Sequence, residues 1–408
     1  MKYSGVKWIG EIPDKWNLVR LKDICINKKE IAGEKSSEYE RLALTLNGVI
    51  KRPKDDQEGL QPKEFDTYQI LEENDFVFKM IDLQNISTSR VGLSPYTGLV
   101  SPAYIRFASK KKGQFNEFIH YYLLSLWHNC VYNNIAGDGV RSALNATDMG
   151  NLKCPYPAEN QQRMIAGFLN KKTAEIDSLI DIENQQIEKL KEYKQACIDN
   201  IISSLSDDVR IKFICTLNGR IGYRGYTQED LVNEGEGAIT ISPSNMQNLK
   251  MNYEKCHYLS WFKYDESPEI QLENGDILFV KTGSTYGKSS MVDNLPMEAT
   301  INPQLLIFKN ISINNKFFLY SLQTNDVRNQ IEGYVIGGTI PTISQDKISR
   351  IKIKNCNLDE QIKIVEYLDK KCDSIDTLIK KKNDKIVLLE EYKKSLIYEY
   401  VTGKKEVY

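Results

Sequence analysis

The sequence has few of the residues from which metal and redox sites are commonly built. Of its 408 residues only three are histidines, and none of its eight cysteines stands in a Cys-x-x-Cys pair. Single, scattered cysteines in a chain of this length are typical of reduced thiols rather than of a disulfide framework or a zinc site. We therefore expect a cytoplasmic protein without a structural metal.

Long apolar segments and an excess of charge of either sign are also missing. No stretch approaches the roughly 18 to 20 apolar residues that cross a bilayer, and residues 1–8 lack the apolar core of a secretory signal. Lys and Arg number 54 against 55 Asp and Glu, so any nucleic-acid footprint has to be local. The length predicts two or three globular domains.

Common catalytic signatures are absent too. The sequence contains neither the Asp/Asn-Pro-Pro-Tyr/Phe tetrapeptide of adenine methyltransferases nor a Gly-x-Ser-x-Gly elbow. Residues 283–289 resemble a phosphate-binding loop, but they have three residues between the glycines instead of four. This spacing favours a turn that exposes polar side chains. An enzyme with its own active site is therefore disfavoured.

What the sequence does contain is an internal repeat. Residues 162–198, shifted by 199 positions onto residues 361–397, match at 16 of 37 positions without a gap. Weaker similarity links residues 19–25 with 209–215, 71–78 with 272–279 and 101–107 with 302–308. One structural plan is therefore used twice along the chain.

Both copies of the strong repeat predict a long amphipathic helix, over residues 159–204 and 358–403. Apolar residues recur at steps of three, four and seven on a charged background, which is the pattern of one apolar helix face. Two matching stripes in one chain most simply bury each other as an antiparallel coiled coil, although each helix could instead pack on its own domain. The residues predicted for this seam, which would also serve partner binding, are Ile165, Leu169, Ile176, Leu179, Ile180, Ile187, Leu190, Ile364, Leu368, Ile375, Leu378, Ile379 and Leu389.

The remaining segments predict mixed α and β structure. Short apolar runs between turn residues, at 76–78, 103–107, 277–280 and 305–308, are typical of buried strands. The fold class is therefore α+β: two mixed domains, residues 1–158 and 205–357, separated by the two long helices, with a tail at 404–408. The repeat makes the arrangement pseudo-two-fold.

This layout resembles the specificity (S) subunits of type I restriction-modification systems, the HsdS family. The resemblance rests on the opening at residues 8–16, on residues 78–85 and 89–92, and on residues 101–104. Residues 275–278, 281–284 and 287–288 resemble the same element in a second domain. Both helices also begin and continue as family helices do, with Ile-Asp-x-Leu-Ile at 176–180 and 375–379.

The resemblance implies a DNA sequence-specificity subunit that performs no chemistry itself. Each globular domain would be a target-recognition domain that reads one half of a bipartite site in double-stranded DNA. The helical pair would set the spacer between the half-sites and dock two methylation (M) subunits. S-adenosylmethionine, ATP and Mg²⁺ would then belong to the methylation subunits and to restriction (R) subunits, and none to this chain.

Candidate DNA contacts follow from the chemistry of base and phosphate recognition. Arg and Lys donate to guanine, Asn and Gln pair with adenine, and Lys, Arg, Ser and Thr bind phosphates. In the first domain the polar candidates are Asn47, Lys51, Arg52, Lys79, Gln84, Asn85, Ser87, Ser89 and Arg90. In the second they are Arg220, Arg224, Tyr226, Lys281, Thr282, Ser284, Thr285, Tyr286, Lys288 and Ser289.

Two other interpretations stay open at this point. Each candidate could belong to an ordinary surface loop with no ligand. The chain as a whole could be a coiled-coil adaptor that binds proteins and has no role on DNA, because the charge pattern fits both functions equally well.

Overall fold

The structure is a computed structural model that describes residues 1–56, 64–81, 83, 89–136, 143–220, 222–247, 249–335 and 340–407. The chain divides into two compact units. The first unit combines Met1–Glu183 with Asn383–Tyr408, and the second unit is Asn184–Lys382. The two long helices begin in one unit and end in the other, so each unit contains a segment of both.

The first unit contains twelve strands and four short helices among its described residues, followed by the start of a long helix. They are β1 Lys2–Tyr3, β2 Glu11–Ile12, β3 Asn17–Arg20, α1 Leu21–Ile24, β4 Cys25–Asn27, β5 Arg41–Thr45, β6 Gly48–Arg52, β7 Gln69–Leu71, β8 Phe76–Phe78, β9 Val91–Leu93, β10 Gly98–Val100, β11 Ile105–Ser109, α2 Glu117–His128, α3 Val131–Ala136, α4 Ala146–Asn151, β12 Lys153–Tyr156 and α5 Glu159–Ile202.

The second unit repeats much of this order. Its elements are β13 Asp207–Arg210, β14 Thr216–Gly219, β15 Leu231–Val232, β16 Gly237–Ile241, β17 Met246–Gln247, β18 Lys250–Met251, β19 His257–Ser260, α6 Trp261–Asp265, β20 Ile277–Val280, β21 Ser289–Met291, β22 Ala299–Ile301, β23 Leu305–Lys309, α7 Asn315–Ser321, α8 Asn325–Tyr334, α9 Gln345–Arg350, β24 Lys352–Asn355 and α10 Leu358–Val401.

Each unit is built around two four-stranded sheets. In the first unit the strand orders are β4-β11-β8-β9, which we call the first inner sheet, and β6-β5-β10-β7. In the second unit they are β14-β23-β20-β21, the second inner sheet, and β15-β19-β16-β22. All neighbours within the two inner sheets are antiparallel.

Both faces of each inner sheet are buried. Successive side chains of a strand point to opposite faces, so they enter different cores. In β8, Phe76 and Phe78 pack into the core that contains helix α2, whereas Val77 packs against the other sheet of its unit. In β20, Ile277 and Phe279 face the helices, whereas Leu278 faces the other sheet. This explains why these strands read as continuous apolar runs in the sequence.

Within the first unit the two long helices run antiparallel. The Phe168 ring lies 4.5 Å from the Tyr400 ring, and Lys393 Nζ lies 2.6 Å from Asp177 Oδ1. As the residue number rises along α5, that of its partner on α10 falls. Ile165 and Leu169 of α5 also belong to the core of the globular part. The helices therefore both pair and pack on their unit.

Within the second unit the same pairing recurs. Lys194 Nζ donates to both oxygens of Asp376 at 2.8 and 2.7 Å, and Ile198 shares a buried cluster with Leu368 and Cys372. Phe317 of α7 completes that cluster. The predicted fold class, two mixed α/β parts with two long helices, is confirmed. The predicted domain boundaries stay a prediction.

The buried seam of the helices differs from the predicted stripe at two positions. Leu179 is 45% exposed and Leu378 is 47% exposed, whereas Thr173 and Glu183, on the same helix as Leu179, are buried. The seam steps through 169, 173, 176, 180, 183 and 187, the three-four spacing of a coiled coil, and Leu179 lies one position beside it. Periodicity alone cannot separate neighbouring helix faces, so the sequence pattern wrongly places Leu179 and Leu378 in the seam.

We predict that Leu368→Ala lowers the free energy of unfolding by about 2 to 5 kcal/mol, because Leu368 is 0% exposed and truncation leaves a cavity. The matched control is Leu378→Ala on the same helix. Its half-exposed side chain should change stability by no more than about 0.5 kcal/mol. Chemical denaturation followed by circular dichroism measures both. Equal effects would contradict the assignment of the seam.

Candidate nucleic-acid interface

In the second unit, three segments leave the same end of the second inner sheet. Strand β14 ends at Gly219 beside Leu306, and β20 ends at Val280 beside Leu305, at the start of β23. The described segments that continue from these strand ends are residue 220 with residues 222–226, residues 281–288 and the turn at 302–304. Antiparallel pairing therefore brings the sequence-predicted residues of this unit to one edge of one sheet.

The 281–288 loop is a tight turn in which several backbone N–H groups donate hydrogen bonds to carbonyls of the protein itself. The Gly287 N–H donates to the Val280 carbonyl at 2.9 Å, and the Lys288 N–H donates to Thr285 at 3.2 Å. Gly283 has φ +107° and Gly287 has φ +84°, which favours glycine at both positions. These N–H groups cannot cradle a phosphate, while Ser284 and Thr285 are exposed at the tip.

A second segment, residues 340–345, braces this loop. The Gly283 N–H donates to the Pro341 carbonyl at 3.0 Å, and the Ile343 N–H donates to the Lys281 carbonyl at 2.9 Å. The Thr282 and Thr342 hydroxyl oxygens are 2.5 Å apart. Sequence reasoning missed this segment. The repeat contained a signal for it, because Ser344 caps α9 as Asn145, 199 positions earlier, caps α4.

Arg220 lies beneath this edge rather than on it. It is 5% exposed, and its guanidinium donates to the Ile301 carbonyl at 3.2 Å, the Thr300 hydroxyl at 3.1 Å and the Arg224 carbonyl at 3.3 Å. It also lies over the Tyr226 ring, 5.2 Å from its centre. Burial lowers the pKa of Arg220. The residue therefore positions the 220–226 segment.

The other candidates of this unit differ in how accessible they are. Ser289 is 2% exposed and accepts a hydrogen bond from Gln323 at 2.6 Å. Arg224 is partly exposed and lies 3.4 Å from a Glu269 carboxylate oxygen. Lys281, Tyr286 and Lys288 are half-buried at the edge. The Lys288 ammonium lies 3.5 Å from the Pro243 carbonyl.

In the first unit, the equivalent loop follows β8 at the same end of the first inner sheet. The Leu144 N–H donates to the Met80 carbonyl at 3.0 Å, as Ile343 does to Lys281 in the second unit. Lys79, the first residue after β8, is half-buried. The predicted residues Gln84, Asn85 and Ser87 lie outside the described residues.

Ser89 and Arg90 end this loop inside the protein. Ser89 is 1% exposed and its hydroxyl donates to the Val91 carbonyl at 2.8 Å. Arg90 is 2% exposed and donates to the Ile81 carbonyl at 3.0 Å. Sequence patterns cannot separate a buried arginine that holds a loop from an exposed one that meets a ligand. Ser89, Arg90, Arg220 and Ser289 are therefore left out of the surface proposed below.

The remaining three candidates lie on the β5–β6 hairpin of the first unit. Asn47 is exposed in its turn. Lys51 Nζ lies 2.5 Å from Glu40, and Arg52 Nε lies 2.7 Å from Asp56. The positive charges of Lys51 and Arg52 are thus partly balanced by neighbouring carboxylates.

Within the described ranges, no three His, Cys, Asp or Glu side chains are grouped as metal binding requires. His120 and His128 have buried ring nitrogens, and burial lowers the pKa of each to about 4, so both are neutral near pH 7. No helix in these ranges is long and apolar enough to span a bilayer.

Comparison with known proteins agrees with this architecture. Residues 13–192 and 263–388 match the model of a family described as the type I restriction modification DNA specificity domain. The chain is 23% identical over 420 residues to the type I restriction enzyme MjaVIII specificity subunit of Methanocaldococcus jannaschii, covering 96% of this chain and 93% of that protein.

Two solved structures share the fold over nearly the whole chain. One, from work on complex assembly and conformational transition of the type I R-M system, has a TM-score of 0.70 at 15% identity and covers 97% of this chain and 100% of that one. The HsdS subunit from Thermoanaerobacter tengcongensis has a TM-score of 0.50 at 15% identity, with 97% and 98% coverage.

The two inner sheets, the loops at their corresponding ends and the paired long helices thus define a repeated α+β scaffold. The chain belongs to the type I restriction modification DNA specificity family. Its role is that of a DNA sequence-specificity subunit.

We predict that Gly283→Ala destabilises the second unit by on the order of 1 to 3 kcal/mol, because φ +107° is strained for any residue with a Cβ atom. An added Cβ would meet only ordinary contacts, so the loss would come from the backbone. The control is Gly333→Ala in helix α8, where nothing lies within 4 Å and a gain of about 0.5 to 1 kcal/mol is expected. Urea denaturation tests both, and a stable Gly283→Ala would contradict the turn geometry.

Proposed function

We propose that each unit reads one half of a split DNA sequence through the loops at the end of its inner sheet. The observation that carries this proposal is that equivalent loops have different side chains on the same backbone frame. Met80 in the first unit stands where Lys281 stands in the second, as the matching backbone hydrogen bonds from Leu144 and Ile343 show. A shared frame with different side chains suits two different half-sites.

The proposed reading surface consists of accessible polar side chains at these edges. Neutral amides and hydroxyls read base edges and bind phosphates, and lysines supply hydrogen-bond donors and charge. The surface adds three residues that sequence reasoning missed, Gln304, Thr342 and Gln345. The full set is Asn47, Lys51, Arg52, Lys79, Arg224, Tyr226, Lys281, Thr282, Ser284, Thr285, Tyr286, Lys288, Gln304, Thr342 and Gln345.

The long helices carry the second part of the proposal. Each is a continuous helix of 44 residues, about 65 Å at 1.5 Å per residue. A rigid antiparallel pair of this length would set the number of base pairs between the half-sites. We therefore propose that helix length, rather than the recognition loops, fixes the spacer.

The outer faces of the helices support a partner-binding role. Leu179 and Leu378 are equivalent in the repeat and are both nearly half-exposed; Tyr193 and Tyr392 are also equivalent, and are 52% and 55% exposed. Packing inside the chain does not require the same exposed apolar residue twice. Two like surfaces suit two copies of one partner, which we propose are methylation subunits.

On this proposal the reaction chemistry belongs to other chains. Methylation subunits would supply S-adenosylmethionine-dependent transfer to adenine N6, and restriction subunits would supply ATP- and Mg²⁺-dependent cleavage. The chain itself would act in the cytoplasm, where the DNA is. Its near-zero net charge suits a protein whose partners provide much of the phosphate contact.

We predict that deleting the gene from its host removes N6-methyladenine from one split motif, two short half-sites around a fixed gap. Single-molecule sequencing of the whole genome, with and without the gene, measures this. A motif that is unchanged while the partner methylation genes are expressed would favour the alternative, an adaptor without a role on DNA.

We predict that Leu179→Asp and Leu378→Asp together weaken capture of the methylation subunits by at least about tenfold, because a carboxylate replaces an apolar contact that binding would bury. The control is Val387→Asp on helix α10, which also carries Leu378. Val387 is 54% exposed, and its repeat equivalent is Glu188, so this position already tolerates an acid. Analytical size-exclusion chromatography of the mixed subunits tests it, and undiminished complex formation by the double variant would place the docking surface elsewhere.

A further inference from the structure

At the end of the second inner sheet, Lys281 has no ion-pair partner among the residues that the structure describes. Lys281 follows β20 directly, and its side chain is half-buried. Among the described residues no carboxylate lies within ion-pair distance of its ammonium group, whereas Lys309 of the same sheet is paired with Asp276 at 3.1 Å. Burial lowers the pKa of Lys281. An unpaired, partly desolvated charge is unfavourable unless a ligand supplies acceptors.

The backbone holds Lys281 in a defined place. Its N–H donates to the Gln304 carbonyl at 2.9 Å, and its carbonyl accepts from the Ile343 N–H at 2.9 Å. The ammonium lies over Gly219, where a Cβ atom would come within 3.3 Å of Nζ. A side chain at position 219 would crowd the Lys281 ammonium, and glycine leaves this space at the end of the sheet open.

Two glutamines lie at the same sheet end as the lysine, and the side-chain amide of each is anchored by one hydrogen bond. Gln345 donates from Nε2 to the Leu217 carbonyl at 2.7 Å, and its Oε1, which accepts no bond from the described residues, lies near Gly219 as the Lys281 ammonium does. The Gln304 Oε1 accepts from Asn302 at 3.2 Å, which leaves its Nε2 as a donor. Two anchored amides near a lysine whose backbone is held form a patterned set of hydrogen-bonding groups, which a phosphate contact would not need.

We propose that Lys281 is a specificity-determining residue of the second unit and that it donates to the N7 and O6 acceptors of a guanine in the half-site. An ammonium group has donors only, and guanine alone presents two adjacent acceptors in the major groove. Gln304 and Gln345 would contact the neighbouring base pairs. This inference rests on the proposed function, because it assigns a base to the edge that the proposal already brings to DNA.

The first unit shows that the fold does not require a lysine here. The equivalent position holds Met80, which is 1% exposed and packed in the core. Methionine matches the four-carbon stem of lysine in length and carries no donor. Lys281→Met therefore removes the proposed contact with a residue that the same frame already accepts.

The test uses the complex of this chain with its methylation subunits, and duplexes that carry the motif found by genome sequencing. Each guanine of the second half-site is replaced in turn by 7-deazaguanine, which pairs normally but lacks N7. We expect the wild-type methylation rate to fall about tenfold at one guanine. Lys281→Met should lose a similar factor on normal DNA and show no further loss at that guanine. First half-site substitutions should affect both proteins alike.

The controls separate the possible failures. Lys255→Met, an exposed lysine elsewhere in the unit, should behave as wild type, and Lys281→Arg should keep the requirement for N7. The proposal is overturned if no guanine of the second half-site needs N7, if Lys281→Met keeps the wild-type sensitivity, or if it slows all duplexes equally, as loss of a phosphate contact would. A wild-type complex that methylates no split motif would instead refute the proposed function.

Discussion

The antiparallel pairing of the two long helices is the interaction on which the rest of the structure depends. Neither helix can bury its apolar stripe alone, and each unit is completed by helix residues from far along the chain. In the first unit residues 383–401 pair with the beginning of α5, and in the second unit the end of α5 pairs with the beginning of α10. Buried Leu169 and Leu368, 0% exposed, lie at equivalent positions of this seam.

The inner sheets give each unit a rigid frame that ends in loops. Because both faces of each sheet are buried, its strands are held firmly, and side chains remain free to vary only where the strands end. The same backbone hydrogen bond, from Leu144 to Met80 and from Ile343 to Lys281, fixes the loop in each unit. A fixed frame with changeable side chains allows one fold to display two different chemical surfaces, as Met80 and Lys281 do at equivalent positions.

Sequence reasoning succeeded where a pattern has a single physical cause. The long helices, predicted over 159–204 and 358–403, end within two residues of Glu159–Ile202 and Leu358–Val401, since a period near 3.6 over so many turns has no other explanation. It was less successful for single side chains. Arg90 and Arg220 look like DNA contacts in the sequence, yet each is buried and donates to backbone carbonyls that only the folded chain brings near.

By itself, therefore, the sequence determined the repeat, the helices, the short buried strands and the family, because these depend on periodicity and on identities that recur along the chain. Tertiary structure alone decided that Leu179 lies beside the seam, that Lys281 lacks an acidic neighbour among the described residues, and that Gln304 and Gln345 lie at the same sheet end as Lys281. Those facts depend on which segments meet at one sheet end. Contacts between residues far apart in the chain leave no local pattern from which they could be read.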